Sequence, residues 1–256
     1  MTRQQMIDIN ADMGEGFGRW RIADDEALLK VVSSASVACG FHAGDPETMA
    51  RTFALAKENG VAIGAHPGFA DLAGFGRRQI PHSTGEIERL VAYQVGAAQA
   101  MAALAGHRIT YVKAHGALGN LTETNHDVAA AVTRAVRAVD PSLICLTIAL
   151  GAQHRLCREK GYPVRAEVFA DRGYCGEGRM IPRAEPGAVI TDPAAAAARA
   201  VNMVLSQAIP TREDRMIPTD MDSICIHSDT PAALAIAGAV RAALEKAGIA
   251  ISPFAP

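Results

Sequence analysis

Six short clusters in this sequence gather side chains that could move protons or bind anions at one kind of place, just behind strand-like runs. They are Asp12 with Glu15; His42 with Asp45; His66 with Asp71, Arg77 and Arg78; Lys113 with His115; Glu167, Asp171 and Arg172; and His227 with Asp229. Histidine changes charge near neutral pH and suits proton transfer. Lysine offers a compact cation for an anionic oxygen, and arginine a two-pronged fork for carboxylate or phosphate. Four of the eight histidines, His42, His66, His115 and His227, fall just behind apolar or alternating runs. The other four, His82, His107, His126 and His154, read as surface positions. The stretch Cys39-Gly40-Phe41-His42-Ala43-Gly44-Asp45 shows the design most clearly. Small apolar residues lead into it, glycines flank the histidine, and Asp45-Pro46 opens a helix.

Seven strand-like runs precede these and related corners, at residues 6–11, 34–39, 61–65, 108–113, 143–150, 164–169 and 223–226. Helical segments alternate with them. Asp24 or Asp25 caps the first, Pro46 starts the second, and Ser83 or Thr84 opens a long one reaching residue 105. Further helices are expected at 124–139, after Gly151 to 160, at 192–208, and after Pro231 to 248. Residues 66–78 form a long loop of the kind that usually lids or binds. The segment from 170 to 191 shows no clear period and reads as an irregular excursion. Strand–helix alternation predicts an α/β fold with a parallel sheet. An open doubly wound sheet places its site at one crevice, whereas here polar clusters follow at least six strands. That pattern favours a parallel (β/α) barrel-like fold of about seven strands, with the clusters meeting at one mouth. No composition break or flexible linker divides the chain, so residues 1–256 read as one barrel domain.

Composition narrows the function classes. A net charge of −2 and 5% aromatics lack the basic stripe and stacking platform of a nucleic-acid binder. The five cysteines form no C-x-x-C pair and read as reduced thiols of a cytoplasmic protein, with Cys175 as a bystander. The polar start, Thr2-Arg3-Gln4-Gln5, is unlike a secretory signal, and no apolar run is long enough for a membrane span. There is no phosphate loop, no dinucleotide fingerprint and no G-x-S-x-G elbow. Asp12, His42 and His66 are a ligand mix that zinc accepts, which keeps a metal-dependent amidase or deacetylase as an alternative. No tight ligand spacing supports it, so no resident metal is expected.

Several longer motifs closely resemble the LamB/YcsF family, which supplies the A component of the bacterial ATP-dependent 5-oxoprolinase. They are Asp8-Ile9-Asn10-Ala11-Asp12-Met13-Gly14-Glu15-Gly16-Phe17-Gly18, residues 38–46, Gly64-Ala65-His66-Pro67-Gly68 and Gly74-Phe75-Gly76-Arg77-Arg78. Residues 113–120 and 167–174, Pro182-Arg183, and His227 with Asp229 extend the likeness to nearly the whole chain. The family usually has proline at Ala114, tyrosine near Gly119 and glycine at Ser228. The resemblance implies a glycosidase/deacetylase-type barrel. It also implies a reaction in which 5-oxo-L-proline, ATP and water give L-glutamate, ADP and phosphate. ATP with Mg2+ and partner subunits B and C are then expected, and a homo-oligomer is compatible with it. On that basis Asp12, His42, His66, Lys113 and His115 are assigned to catalysis. Glu15, Asp45, Arg77, Arg78, Glu167, Asp171, Arg172, His227 and Asp229 are assigned to substrate binding. A non-catalytic component that binds substrate and delivers it to partners is the other alternative.

Overall fold

The first strand, β1 (Met6–Met13), is buried on both faces, yet its two faces differ. Ile7, Ile9, Ala11 and Met13 belong to the apolar core, while Asp8, Asn10 and Asp12 are buried polar residues. Side chains alternate along a strand, so one face must meet polar partners. Those partners exist because the sheet closes. A computed structural model describes residues 5–230 and 232–255. The polar stretch at residues 2–4 and Pro231, both used in the sequence reading, lie outside the described residues.

The strands after β1 are β2 (Ser34–Ala38), β3 (Ala62–His66), β4 (Ile109–Val112), β5 (Ile144–Ile148) and β6 (Val164–Phe169). A short hairpin, β7 (Ala208–Pro210) with β8 (Met216–Pro218), then precedes β9 (Ser223–Ile226) and β10 (Ala250–Ile251). The parallel order is β1-β2-β3-β4-β5-β6-β9, and β9 pairs back to β1 through Asp8 opposite Ser223. This closes a seven-stranded parallel barrel, as the strand-end clusters imply, and β10 extends one rim beside Met6 and Ile7.

The barrel interior carries a polar column. Asp8 accepts hydrogen bonds from Ser33 and Ser34, each at 2.6 Å, and from Ser223. Across the interior the Ser36 and Tyr111 hydroxyls lie 3.2 Å apart. Gly64 makes room for that ring, since a Cβ there would stand 2.3 Å from the Tyr111 ring. The other face of β1 packs into the apolar core.

Helices cover the barrel: α1 (Asp25–Leu29), α2 (Pro46–Glu58), α3 (Thr84–Leu104), α4 (Gly116–Thr124), α5 (His126–Val139), α6 (Ala152–Lys160), α7 (Pro193–Ser206) and α8 (Ala233–Lys246). Their starts follow the sequence signals. Asp24, Asp45 and Asp192 accept from first-turn amides, and Ser83 forms a reciprocal capping box with Glu86. Two elements differ from expectation. Residues 116–123, where no helix is expected, form most of helix α4, separated from α5 by Asn125, which caps the second helix. Its glycines hide it from propensity; Gly119 is needed because a Cβ would stand 2.6 Å from the Ala114 carbonyl oxygen. The β7–β8 hairpin occupies a stretch with no strand-like alternation. The excursion after β6 is irregular as expected, pinned by the isolated pairs Arg172–Val189 and Tyr174–Met180. Among the described residues no helix is long and apolar enough to cross a membrane.

Candidate active site at the barrel mouth

Lys113 follows β4 directly, and the barrel carries its ammonium inward. Nζ donates to Asp12 Oδ1 at 2.8 Å, Asn10 Oδ1 at 3.1 Å and Cys225 Sγ at 3.0 Å, and lies 2.8 Å from Glu167 Oε2. Asn10 in turn donates to Glu167 at 2.9 Å and to Ser223 at 2.7 Å. Burial opposes the charge on Lys113, but Asp12, Cys225 and Glu167 outweigh it and hold the ammonium well above the ordinary lysine range. Burial likewise opposes the Asp12 charge, and Lys113 and His66 hold that carboxyl well below its usual value. Every donor of the ammonium is engaged.

Beside this network four buried side chains meet with bare polar atoms. His66 Nδ1 donates to the Lys113 carbonyl oxygen at 2.7 Å, which leaves Nε2 as the lone-pair nitrogen. That Nε2 lies 3.3 Å from Asp12 Oδ1 without hydrogen-bond geometry. Glu15 accepts from Ser228 Oγ at 3.0 Å through Oε2, and its Oε1 has no hydrogen-bond partner. The rings of His42 and His115 stack 3.7 Å apart, with their Nε2 atoms 3.9 and 3.7 Å from Glu15 Oε1. Both nitrogens of His42 and Nδ1 of His115 are unpartnered. Gly68 and Gly76 permit this stack. A Cβ at Gly68 would stand 2.7 Å from His42 Nδ1, and one at Gly76 2.8 Å from His115 Nδ1. Burial pulls both imidazoles well below the usual histidine value, so they are neutral at pH 7. Burial, then Asp12 and Asp229, push Glu15 well above the usual carboxyl value.

A third group is fully partnered. Asp171 accepts from the His227 backbone N–H at 3.1 Å and from its Nδ1 at 2.9 Å, which fixes the ring. Burial works against the Asp171 charge, and His227 holds its carboxyl below the ordinary range. Asp229 accepts from Arg77 at 2.7 Å, with Arg183 at 3.8 Å. Arg172 is buried and donates to the Ala188 and Ile181 carbonyls at 2.9 and 2.6 Å.

These groups meet at a cleft of about 530 Å³ between α4 and the excursion after β6. Of the residues expected from sequence, Asp12, His66, Lys113, His115 and Glu167 line it, as do Arg77, Arg172 and His227. Glu15 and His42 stand behind His66 and His115, Asp171 behind His227, and Asp229 behind Arg77. Asp45 and Arg78 lie outside the cleft lining. Asp45 caps α2 and accepts from the Gly18 amide at 2.6 Å, and Arg78 pairs with Asp71. The sequence reading gave no role to Asn10, Cys225 or Ser228, nor to Glu123, Arg179 and Arg183 of the cleft wall. The alternation of Asp8, Asn10 and Asp12 with apolar residues was the available signal for the first. Of the histidines read as surface, only His126 is exposed; His82, His107 and His154 are half-buried and hydrogen-bonded.

Comparison with known proteins places these features in a group. Residues 7–256 match the model of the LamB/YcsF family. The chain is 60% identical to the A component of the 5-oxoprolinase of Azorhizobium caulinodans, over 98% of this chain and 99% of that one. It superposes on the crystal structure of the lactam utilization protein from Thermus thermophilus with a TM-score of 0.92. That pair is 40% identical, covering 98% of this chain and 100% of the other. A peptidoglycan N-acetylglucosamine deacetylase domain from Eubacterium rectale shares the fold alone, at a TM-score of 0.54 and 10% identity, over 99% of this chain and 90% of that domain.

Proposed function

The chain belongs to the LamB/YcsF family, and from that premise we propose that it is the lactam-opening component of an ATP-dependent 5-oxoprolinase. The overall reaction is 5-oxo-L-proline, ATP and water to L-glutamate, ADP and phosphate. The observation that carries the reading is the cleft itself. It joins a floor of buried proton-moving groups to a wall of guanidinium groups in one volume. Five cationic side chains (Arg77, Lys113, Arg172, Arg179, Arg183) face three acidic ones (Asp12, Glu123, Glu167) there. This excess suits a substrate carboxylate together with phosphates.

An unstrained five-membered lactam resists water, so its carbonyl oxygen must first become a better leaving group. ATP supplies the phosphoryl group for that step, as a second substrate. The cleft arginines fit its phosphates, and Glu123 and Asn120 add oxygen atoms on the same wall for the accompanying Mg2+. Arg77, steadied by Asp229, and Arg172, held by two carbonyls, are pre-set forks. The Lys113 ammonium, whose donors are all engaged, holds Asp12 and Glu167 in place at the cleft floor. Water then attacks the ring carbonyl carbon, the C–N bond breaks as the ring nitrogen takes a proton, and a second water cleaves the resulting acyl phosphate to release phosphate and the new carboxylate. His227, fixed by Asp171 and part of the cleft lining, is set to move that proton. His115, kept neutral by burial, faces the same space as a base, and the bare His66 Nε2 opens onto it as well.

The relatives' names, each marking one lettered component of 5-oxoprolinase, point to partner subunits, here proposed to be B and C; the assembly is proposed to work in the cytoplasm. The test is ATP-dependent release of L-glutamate from 5-oxoproline by this chain together with those partners. Glutamate release that needs this chain, ATP and the partners supports the reading. Equal release without ATP overturns it in favour of a simple amidase. Unchanged release when this chain is omitted overturns it altogether.

A further inference from the structure

The unpartnered atoms at the mouth share one feature that lactam opening by proton transfer does not require. Glu15, His66 and His115 each bring a ligand atom to within 4.8 Å of one another. All three side chains are more than nine-tenths buried, and so is His42 beside them. The far side of two of these donors is already fixed. Ser228 holds Glu15 Oε2 and leaves Oε1 bare, while the Lys113 carbonyl holds His66 Nδ1 and leaves Nε2 bare. Outer hydrogen bonds of this kind orient metal ligands and fix the tautomer of a ligating histidine. A buried polar atom left without a partner costs about 1–3 kcal/mol. Gathering several in one place is unfavourable unless something binds among them.

We propose that Glu15, His66 and His115 hold a divalent d-block cation of the zinc, cobalt or nickel type, with His42 within reach as a fourth ligand. Two imidazoles and one carboxylate are the donor mix such ions accept, and magnesium and calcium favour all-oxygen sets. This is not the Asp12, His42 and His66 set that the sequence suggests. Asp12 is bound to Lys113, and Glu15 takes the carboxylate place. Glu15 and His42 close the site from behind, while His66 and His115 line the cleft, so the open coordination position faces the substrate volume. There the cation would take the lactam carbonyl oxygen or a water, a role that rests on the reading above; binding of the ion does not.

The test uses the untagged chain, stripped by chelator and dialysed, then titrated with Co2+ while absorption and metal content are followed. The expected result is about one tightly held Co2+ per chain, with the d–d bands of a low-symmetry nitrogen–oxygen site. Glu15→Gln and His115→Gln should each weaken binding by more than the roughly 10–100-fold that loss of an outer partner costs. Circular dichroism checks that the variants fold. If they do not, the wild-type spectrum still decides. Uptake well below one equivalent overturns the proposal, as does a thiolate charge-transfer band, which would place the ion at Cys225. Undiminished binding in both folded variants overturns it too. A bound ion with no ATP-coupled glutamate release in the complete assembly leaves this site standing and removes the lactam reading instead.

Discussion

Two groups of buried polar side chains lie side by side at the mouth of the barrel, and they are built in opposite ways. Around Lys113 every donor is met: Asp12, Asn10, Glu167 and Cys225 surround the ammonium. Around Glu15 the polar atoms are unmet: one carboxylate oxygen and several imidazole nitrogens have no hydrogen-bond partner among the described residues. A satisfied buried network stiffens the fold, whereas bare buried polar atoms lower stability and are held in place by their surroundings. The first group therefore positions, and the second waits for a ligand. Mutations should separate the two, because stability and activity respond differently in each.

The largest expected effect on stability is at Lys113. Lys113→Met leaves Asp12 and Glu167 as neighbouring buried carboxylates without their cation. Removing one partner of a buried ion pair costs about 3–5 kcal/mol, so unfolding in urea should shift by that order. A change below about 1 kcal/mol would mean the network is not what stiffens the barrel.

The next effect is a pH dependence. Burial pushes Asp8 from 3.8 up to about 6, against the three serine hydroxyls that favour its charge. Its folded value is raised, so as pH rises from 3.8 to about 6 the unfolded chain loses the proton first. The contribution of Asp8 to stability is thus intact below pH 3.8 and declines as pH rises to about 6. The total is about 3 kcal/mol at roughly 1.36 kcal/mol per unit. Asp8→Asn should flatten that part of the stability–pH curve. An unchanged slope would show that Asp8 is ionised in the folded barrel.

Gly76 tests the packing that holds the histidines together. It has a φ of +63° and no room for a Cβ against His42 and His115. Gly76→Ala should cost about 1–3 kcal/mol and displace the stacked rings, lowering turnover as well. Full turnover in that variant would show that the stack is not needed. The smallest stability effect is expected on the cleft wall. Arg183 contacts Asp229 only at 3.8 Å. Arg183→Ala should leave stability within about 0.5 kcal/mol while raising KM for an anionic substrate. An unchanged KM would take Arg183 out of the binding wall.

Much of this arrangement was legible in the sequence. Corners such as Asp45-Pro46 and Ser83 with Glu86 announced the helices, and the run of polar strand ends announced a closed barrel with one mouth. His66, Lys113 and His115 could be placed there because each follows a strand. What sequence could not carry was which partners they meet. Asp45 follows a strand and has the right chemistry, yet its carboxylate is consumed capping α2. Arg78 differs from Arg77 by one position and turns to Asp71 rather than to the cleft. Pairings such as Glu15 with Ser228, or Asp171 with His227, join residues far apart in the chain, and only closure of the barrel brings them together. Helix α4 was missed because its glycines serve tight backbone approaches rather than a loop.

The contrast between the two groups can be read in one paired experiment: unfolding free energy and ATP-coupled glutamate release for Lys113→Met and His115→Ala, assayed with the partner subunits. His115→Ala is expected to lose at least about 100-fold in turnover, the lower range for a positioned proton-transfer group. It is also expected to lose at least about 2 kcal/mol less stability than Lys113→Met, because it removes a side chain whose polar atoms were unmet. A His115→Ala protein that turns over normally, or one that unfolds as readily as Lys113→Met, would contradict the division between a satisfied scaffold and an unsatisfied reaction centre.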